Sequence, residues 1–593
     1  MNWQLVVVGI VLIFIVVSLY AELIGPAFTF MIAVIVLGLF NILTPKEIIN
    51  GFSNDQVAVI LMLLLLGDTI RKTDVIDKLL DKFLGRTSSY KGFLTRLTFF
   101  VGSLSTVMND TPLVAVMMPY VHSWSKRNNV LPSKLLIPLS YAAILGGCVT
   151  LIGTSTNLVV SGMVKDQNII PGLKPLGLFD FSVAGLPMLI LGVSYLMIFS
   201  KKLLPDRQDV MSKFSHQSRE YLVEAEIRPK SEIIGKTIEQ ANLRNLPGLF
   251  LVELHRGEEV YPAVSPNFLL QEGDNLVFAG DTATIAEMVN SNYGLTLKQV
   301  GMYRKKRRTE MVEVVISQNA TMVNKTVKEA NFRSLFDGAI LAVHRNGERI
   351  PGKIGNVKLK AGDVLLVLAG DDFGERSRVS HEFYLLSRVS EFTNLKWYQK
   401  LALFGGAAAA IITSAFGLIS LFMALVILIV LILALKITTP KELPKSIDYN
   451  LALIIVLAMA LGTAMIKTGM ADLIAHFFVN TLKPFGPVGL LAGIFLVTNI
   501  LASYITVKAA VALIYPISVT AAIHLGLPTV PFILIVAHGA AANFITPMGF
   551  QTNLMVYGPG GYNFRDYMKI GWPISLMYWI VSVLALSWWW DLL

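Results

Sequence analysis

Two stretches decide how this sequence is read. One is Gly153-Thr154-Ser155-Thr156-Asn157-Leu158-Val159-Val160-Ser161-Gly162, and the other is Thr546-Pro547-Met548-Gly549-Phe550-Gln551-Thr552-Asn553-Leu554-Met555-Val556-Tyr557-Gly558. Each breaks a long apolar segment with Gly, Pro, Ser, Thr and Asn, where a membrane helix would otherwise run on. Backbone that leaves the helix at membrane depth is tolerated only where protein buries it or it lines a cavity. Two such interruptions at corresponding places in two halves point to the binding site of a secondary transporter. The pattern therefore predicts an all-α polytopic membrane protein built from two repeats.

Composition agrees. The chain has 593 residues, of which 54% are hydrophobic and only 15% charged, with a mean hydropathy of +0.62. That is too apolar for a soluble protein of this size and predicts a multi-pass protein of the cell membrane. The first apolar run, Leu5 to Tyr20, has no basic segment before it and no small-residue cleavage site after it, so it reads as a retained span. Cys148 is the only cysteine, which excludes an intrachain disulfide and a thiolate-rich metal cluster. The net charge of +10 does not point to nucleic acid, because Lys and Arg gather beside the spans and at Arg304-Lys305-Lys306-Arg307-Arg308, as topology signals and a basic linker do.

Apolar segments of spanning length are predicted at 4–21, 24–43, 56–71, 135–164 and 181–203, and again at 398–416, 418–436, 450–467, 529–557 and 571–590. The quoted stretches break 135–164 and 529–557. Phe93 to Val121 and residues 485–523 are apolar at both ends but interrupted between, with arms that look too short for spans of about 20 residues. Each is predicted to be a re-entrant hairpin. The halves repeat: Thr44-Pro45-Lys46-Glu47 returns as Thr439-Pro440-Lys441-Glu442, Leu66-Gly67 and Lys72-Thr73 as Leu461-Gly462 and Lys467-Thr468, and Asp77 as Asp472, each 395 positions later. Thr156-Asn157-Leu158 returns as Thr552-Asn553-Leu554 after 396. A register held this long marks a duplication. Five spans per half is an odd number, so the second copy is predicted to lie inverted relative to the first. Arg71, Lys72, Lys78, Lys82, Arg86, Lys126, Arg127, Lys201, Lys202 and Arg207 then fall on one side, and the positive-inside rule makes that side cytoplasmic.

Four domains are predicted: a first membrane repeat at 1–203, two soluble modules at 204–300 and 301–394 in the cytoplasm, and a second membrane repeat at 395–593. The modules are copies of each other. Lys236-Thr237, Ala241-Asn242, His255-Arg256, Gly273-Asp274 and Gly280-Asp281 recur as Lys325-Thr326, Ala330-Asn331, His344-Arg345, Gly362-Asp363 and Gly370-Asp371. Strand-like runs at Leu249–Val252 and Val364–Leu368 surround helix-like stretches at Thr237–Leu243 and Thr326–Phe332, which predicts a small α+β fold. The modules resemble TrkA-C domains, and that resemblance implies dimerisation and binding of a small regulatory, nucleotide-type ligand. Neither carries the Gly-x-Gly-x-x-Gly of a nucleotide-binding Rossmann unit.

A broken helix exposes N–H groups at one half-helix start, which favour anions, and carbonyls at the other half-helix end, which favour cations. Ser, Thr and Asn add donors and oxygens, the ligands that Na⁺ takes as other hard cations do. At these residues the sequence is similar to the divalent anion:sodium symporter family, in its sulfate-permease-like branch. The resemblance covers both membrane halves and is most specific over Thr546 to Tyr562. It implies import of sulfate or a dicarboxylate with co-transported Na⁺, in a homodimer, with a Ser-Asn-Thr or Asn-Asn-Thr motif at each hairpin tip. Counted back from Pro119 and Pro516, the tips here read Asn109-Asp110-Thr111 and Thr506-Val507-Lys508. The substrate set is then Asn109, Thr111, Ser155, Thr156, Asn157, Thr506, Lys508, Thr552 and Asn553. The Na⁺ set is Asn109, Asp110, Gly153, Thr154 and Asn157 on one side, and Thr546 and Asn553 on the other, with Lys508 as a substitute for the second ion. Two rival readings remain open at this level: a cation/proton antiporter, and an anion channel gated by the soluble modules. No potassium-channel filter sequence occurs. His122, His476, His524 and His538 have no metal-ligand spacing and no Gly-x-Ser-x-Gly elbow occurs, so an enzyme is disfavoured.

Overall fold

The computed structural model describes residues 3–21, 23–71, 73, 83–84, 87, 89–165, 173, 175–207, 222–243, 249–257, 259–262, 267–280, 295–298, 310–318, 320–345, 348–350, 354–370, 372–378, 380, 382–386, 395–440 and 449–592. Lys72, Asp77, Lys78, Lys82, Arg86, Asp281, Arg304 to Arg308, Asp371, Lys441 and Glu442 lie outside this set.

In the first half, helices Trp3–Tyr20, Pro26–Leu39 and Asp55–Arg71 precede a helical pair, Tyr90–Ser105 and Asp110–Arg127. Then come Leu136–Gly147, a non-helical segment, Ser155–Lys165, and the long helix Ser182–Leu203. The second half repeats this order with Gly406–Ala415, Leu421–Ala434, Tyr449–Lys467, the pair Gly486–Tyr504 and Val507–His524, the broken pair Thr529–Ala541 and Gln551–Tyr557, and Phe564–Trp589. The breaks lie at 148–154 and 542–550 and overlap only the beginnings of the two quoted stretches, whose Ser, Thr and Asn residues at 155–157 and 552–553 open the second half-helices. Both tip helices open on an N-cap: Asn109 accepts from the Thr111 amide, and Thr506 from the Ala509 amide. Each satisfies a donor that the helix start leaves open.

Two expectations are corrected. The arms of the second pair are 19 and 18 residues long and apolar enough to cross a membrane, so they are not short; the small residues that interrupt the run stay helical and close the packing. Conversely, 24–43 and 418–436 form helices of only 14 residues, Pro26–Leu39 and Leu421–Ala434. The first begins where Gly25 and Pro26 set a helix start. Beyond these, Tyr449–Lys467 turns at Gly469, whose φ is +76°, into an amphipathic helix, Met470–Leu482, bent 75° from it. Among the described residues, five helices are long and apolar enough to span, or seven if each bent pair is one span.

Between the two sets of helices the chain forms two five-stranded sheets of one topology. The first has strands β1 (Leu222–Ile227), β2 (Leu249–Arg256), β3 (Glu259–Pro262), β4 (Asn275–Gly280) and β5 (Leu295–Lys298), ordered β3-β2-β4-β1-β5. The second has β6 (Glu310–Ile316), β7 (Gly338–Arg345), β8 (Glu348–Arg349), β9 (Val364–Ala369) and β10 (Phe383–Leu385), ordered β8-β7-β9-β6-β10. Alternation explains the cores: Ala225, Ile227, Leu254, Leu276 and Phe278 fill one, and Val312, Val314, Ile316, Leu365 and Val367 the other. Thr237–Leu243 is not a helix. It makes one turn and stops at Asn242, which has φ +53°, as Asn331 does with φ +50° in the second copy; Asn tolerates this left-handed conformation and ends the turn. In the second copy a short helix, Phe332–Phe336, follows. Each module carries the same staple, Arg256 to Asp274 at 2.8 Å and Arg345 to Asp363 at 2.7 Å, both bidentate. Burial pushes the Asp363 carboxyl above its ordinary range, and the Arg345 guanidinium pulls it back.

Candidate functional site

The two breaks are held open in the same way. Asn157 donates from Nδ2 to the Thr150 carbonyl at 2.8 Å and faces the Gly147 carbonyl at 3.5 Å. Asn553 donates to the Asn543 carbonyl at 2.9 Å and faces that of Thr546 at 3.5 Å. In both cases the carboxamide reaches back seven and ten residues and ties up carbonyls that the broken helix leaves without amides. Both side chains are fully buried.

Close backbone approach explains the glycines. A Cβ on Gly153 would lie 2.5 Å from the Gly147 oxygen and 2.7 Å from that of Ser105. One on Gly549 would lie 1.6 Å from Asn543 Nδ2. The tight loop around Asn543 is completed by Thr546, whose hydroxyl donates to Asn543 Oδ1 at 3.0 Å and accepts from the Gly549 amide at 3.3 Å. Asn499 donates to the carbonyls of Gly539 and Ala542, each at 3.0 Å.

The breaks are also interlocked. Ser155–Lys165 packs against Thr529–Ala541 and Val507–His524, while Gln551–Tyr557 packs against Leu136–Gly147 and Asp110–Arg127. Each second half-helix thus lodges against the first half of the other broken helix. Ser140 fixes the crossing: its hydroxyl donates to Asn553 Oδ1 at 2.8 Å and lies 3.0 Å from the Thr552 hydroxyl. Tyr567 donates to the Asn553 carbonyl at 2.7 Å, and Tyr141 to that of Phe544.

At the first tip Asp110 is 2% exposed. Its Oδ1 accepts the Thr111 amide at 2.8 Å, with Thr154 of the first break and Lys508 of the second tip nearby. The structure therefore draws Asp110, Thr154 and Lys508, from the first tip, the first break and the second tip, into one neighbourhood. Thr111 and Asn109 sit half-buried beside them, as does Thr506. Thr156 and Thr552 are buried and Ser155 is half-buried, all in the first turn of their half-helices. Sequence reasoning missed Ser140, Tyr141, Asn499, Asn543 and Tyr567. Ser140 and Tyr141 sit inside an apolar helix without a local motif, and Asn499 meets the break only through the fold, but Asn543 was legible as an amide in the second break.

Comparison with known proteins follows this geometry. The profile of the citrate transporter family matches residues 10–478 and 408–591. The chain belongs to the citrate transporter family. It is similar to a Chlamydomonas reinhardtii protein named as a sulfur deprivation response regulator, 34% identical over 92% of this chain and 94% of that one. A Synechocystis transporter is 28% identical over 97% and 95%, and sodium/sulfate cotransporter 1 of Chlamydomonas reinhardtii is 23% identical over 98% and 89%. These relatives support the placement among divalent anion:sodium symporters. The protein is a multi-pass membrane transporter of the anion-transporting kind, and not an enzyme.

Proposed function

We propose that the protein is a secondary active transporter that imports a small divalent anion, sulfate or a dicarboxylate, coupled to Na⁺. The observation that supports this most is the matched pair of braced breaks, Asn157 and Asn553 reaching the same distances back, with their half-helices interlocked. The reading takes the two halves as inverted repeats whose breaks and tips converge on one site. Substrate is received by the hydroxyls and amides of Asn109, Thr111, Ser155, Thr156, Asn157, Thr506, Thr552 and Asn553, with Lys508 as the compensating cation. An ammonium among small hydroxyl residues complements a dianion without displacing their donors.

The donor set for Na⁺ is all oxygen: Asp110, Asn109, Thr154 and the carbonyls around Gly153 for one ion, and Thr546 and Asn553 for the other. That chemistry fits a hard cation. Lys508, near Asp110, supports a lower Na⁺ count than two full sites would take, because its charge already stands in the shared neighbourhood. The two modules at 204–300 and 301–394 are read as TrkA-C-like, cytoplasmic, dimer-forming and responsive to a small nucleotide-type ligand.

The test is uptake by the purified protein in liposomes, with sulfate, succinate and citrate offered under a Na⁺ gradient and under a pH gradient. The expected result is uptake of one of these anions driven by Na⁺. Cation movement with no anion would instead establish an antiporter.

A further inference from the structure

Among the described residues, the second sheet module meets the membrane helices at the second break and, through β10, at Asp110–Arg127. Gln551 donates to the Tyr384 hydroxyl on β10 at 2.7 Å. A Cβ on Gly362 would lie 2.9 Å from Leu554 Cδ1. One on Gly558 would lie 2.6 Å from the Gly362 carbonyl oxygen and 2.7 Å from Val364 Cγ2. Residues 551, 554 and 558 follow the spacing that puts side chains on one face of a helix. Thr552 and Asn553 lie off that face, where Ser140 and Tyr567 meet them. Val315, Val364 and Leu386 of the module are buried in the same apolar cluster as the membrane helices.

The contact is stiff on the module's side. Gly362, with φ +82°, belongs to the turn that leads into β9, and Asp363 pins this turn to Arg345 and to the Lys360 amide at 2.8 Å. The first module has the same turn, with Gly273 at φ +79°, yet a Cβ there would meet nothing within 4 Å among the described residues. One fold thus presents one turn twice, seated once and open once. The seat is therefore not something the module needs in order to fold.

We propose that the second module is a lock on the second broken segment. Seated as in this structure it holds Gln551–Tyr557, and with it Thr552 and Asn553, in one arrangement; transport requires the seat to open. This rests on the reading that Thr552 and Asn553 belong to the transport site. The physical basis is that a helix of two turns, flanked by irregular backbone, has few hydrogen bonds of its own and takes its position from what packs on it. Opening the seat breaks the Gln551–Tyr384 hydrogen bond and the longer one from Gln318 to the Met548 carbonyl at 3.5 Å, and exposes the small apolar contact of Val315, Val364 and Leu386.

Two measurements on the full-length protein test it. Gly558→Ala adds one methyl at a residue whose φ of −64° any residue adopts, and that methyl collides with the Gly362 carbonyl. Amide hydrogen exchange over 551–557 and 383–385 is expected to rise several-fold in this variant with the rest of the chain unchanged. Unchanged exchange at both segments overturns the lock. For transport, Tyr384→Cys and Gln551→Cys are combined with Cys148→Ala and bridged by a short reducible bis-methanethiosulfonate linker. Sulfate uptake into liposomes should fall at least tenfold on bridging and return on reduction; bridged protein that transports at the unbridged rate overturns the lock. If neither form takes up sulfate, sulfate is not the substrate, and the exchange result alone decides the lock.

Discussion

Replacing Asn553 by Ala removes three buried polar contacts at once. Nδ2 loses the Asn543 carbonyl at 2.9 Å and the Thr546 carbonyl at 3.5 Å, and Oδ1 loses the Ser140 hydroxyl at 2.8 Å. Two of these are well-formed bonds, and leaving a buried donor or acceptor unsatisfied costs about 1–3 kcal/mol each. The local penalty is therefore roughly 2–6 kcal/mol, softened at Ser140 because its hydroxyl keeps Thr552 at 3.0 Å. Asn157→Ala loses one well-formed bond, to Thr150, and should cost about 1–3 kcal/mol. Both variants should fold, both should lose uptake, and Asn553→Ala should be the less stable of the two. The assay is thermal unfolding in detergent beside uptake in liposomes. Normal transport by either variant, or a larger loss of melting temperature in Asn157→Ala, would refute the bracing argument. Asn553→Asp sharpens it, since a carboxylate in place of the amide sets an acceptor against the Asn543 carbonyl and should do no better than Ala.

Gly549→Ala places a methyl on top of Asn543 Nδ2 and should abolish uptake with a clear loss of melting temperature, whereas Gly25→Ala, at a residue with φ −60° and open space around it, should spare uptake. Lys508→Thr should raise the number of Na⁺ ions moved per substrate; identical coupling in wild type and variant, measured as paired ²²Na⁺ and substrate flux, would show Lys508 to be a strut. Lys508→Ala should depress uptake strongly, although the part-exposed ammonium makes the stability cost smaller than the roughly 3–5 kcal/mol of a dry broken pair. Light scattering coupled to gel filtration should find a homodimer, and joining 209 to 391 after removal of 210–390 should leave transport active but no longer restrained; a well-folded, inactive product would place the modules inside the transport machinery.

Much of this protein was legible in one dimension. That each of these apolar runs breaks was legible, because Gly, Pro, Thr and Asn interrupt it near 153–157 and 546–553, a local signal that needs no partner to be read, although the breaks themselves lie a few residues earlier, at 148–154 and 542–550. The tips at Asn109 and Thr506 were placed by the family resemblance, counting back from Pro119 and Pro516; the structure shows that both are N-caps. The strands of both modules follow from alternation, and their Gly-Asp turns from the positive φ at Gly273 and Gly362. The single turn at Thr237–Leu243 was misread as a helix because its capping pair, Thr237 with Gln240, looks like a helix start, and nothing in the pattern says that Asn242 will end it at once. Tertiary structure alone decided the rest. That Ser140 holds Asn553, 413 positions away, that each half-helix lodges in the other repeat, and that one of two equal turns seats on Gly558 are facts about which surfaces meet. Such contacts follow the packing of whole helices, where a hydroxyl inside an apolar run carries no periodicity to betray its partner, and only the folded chain brings the two together.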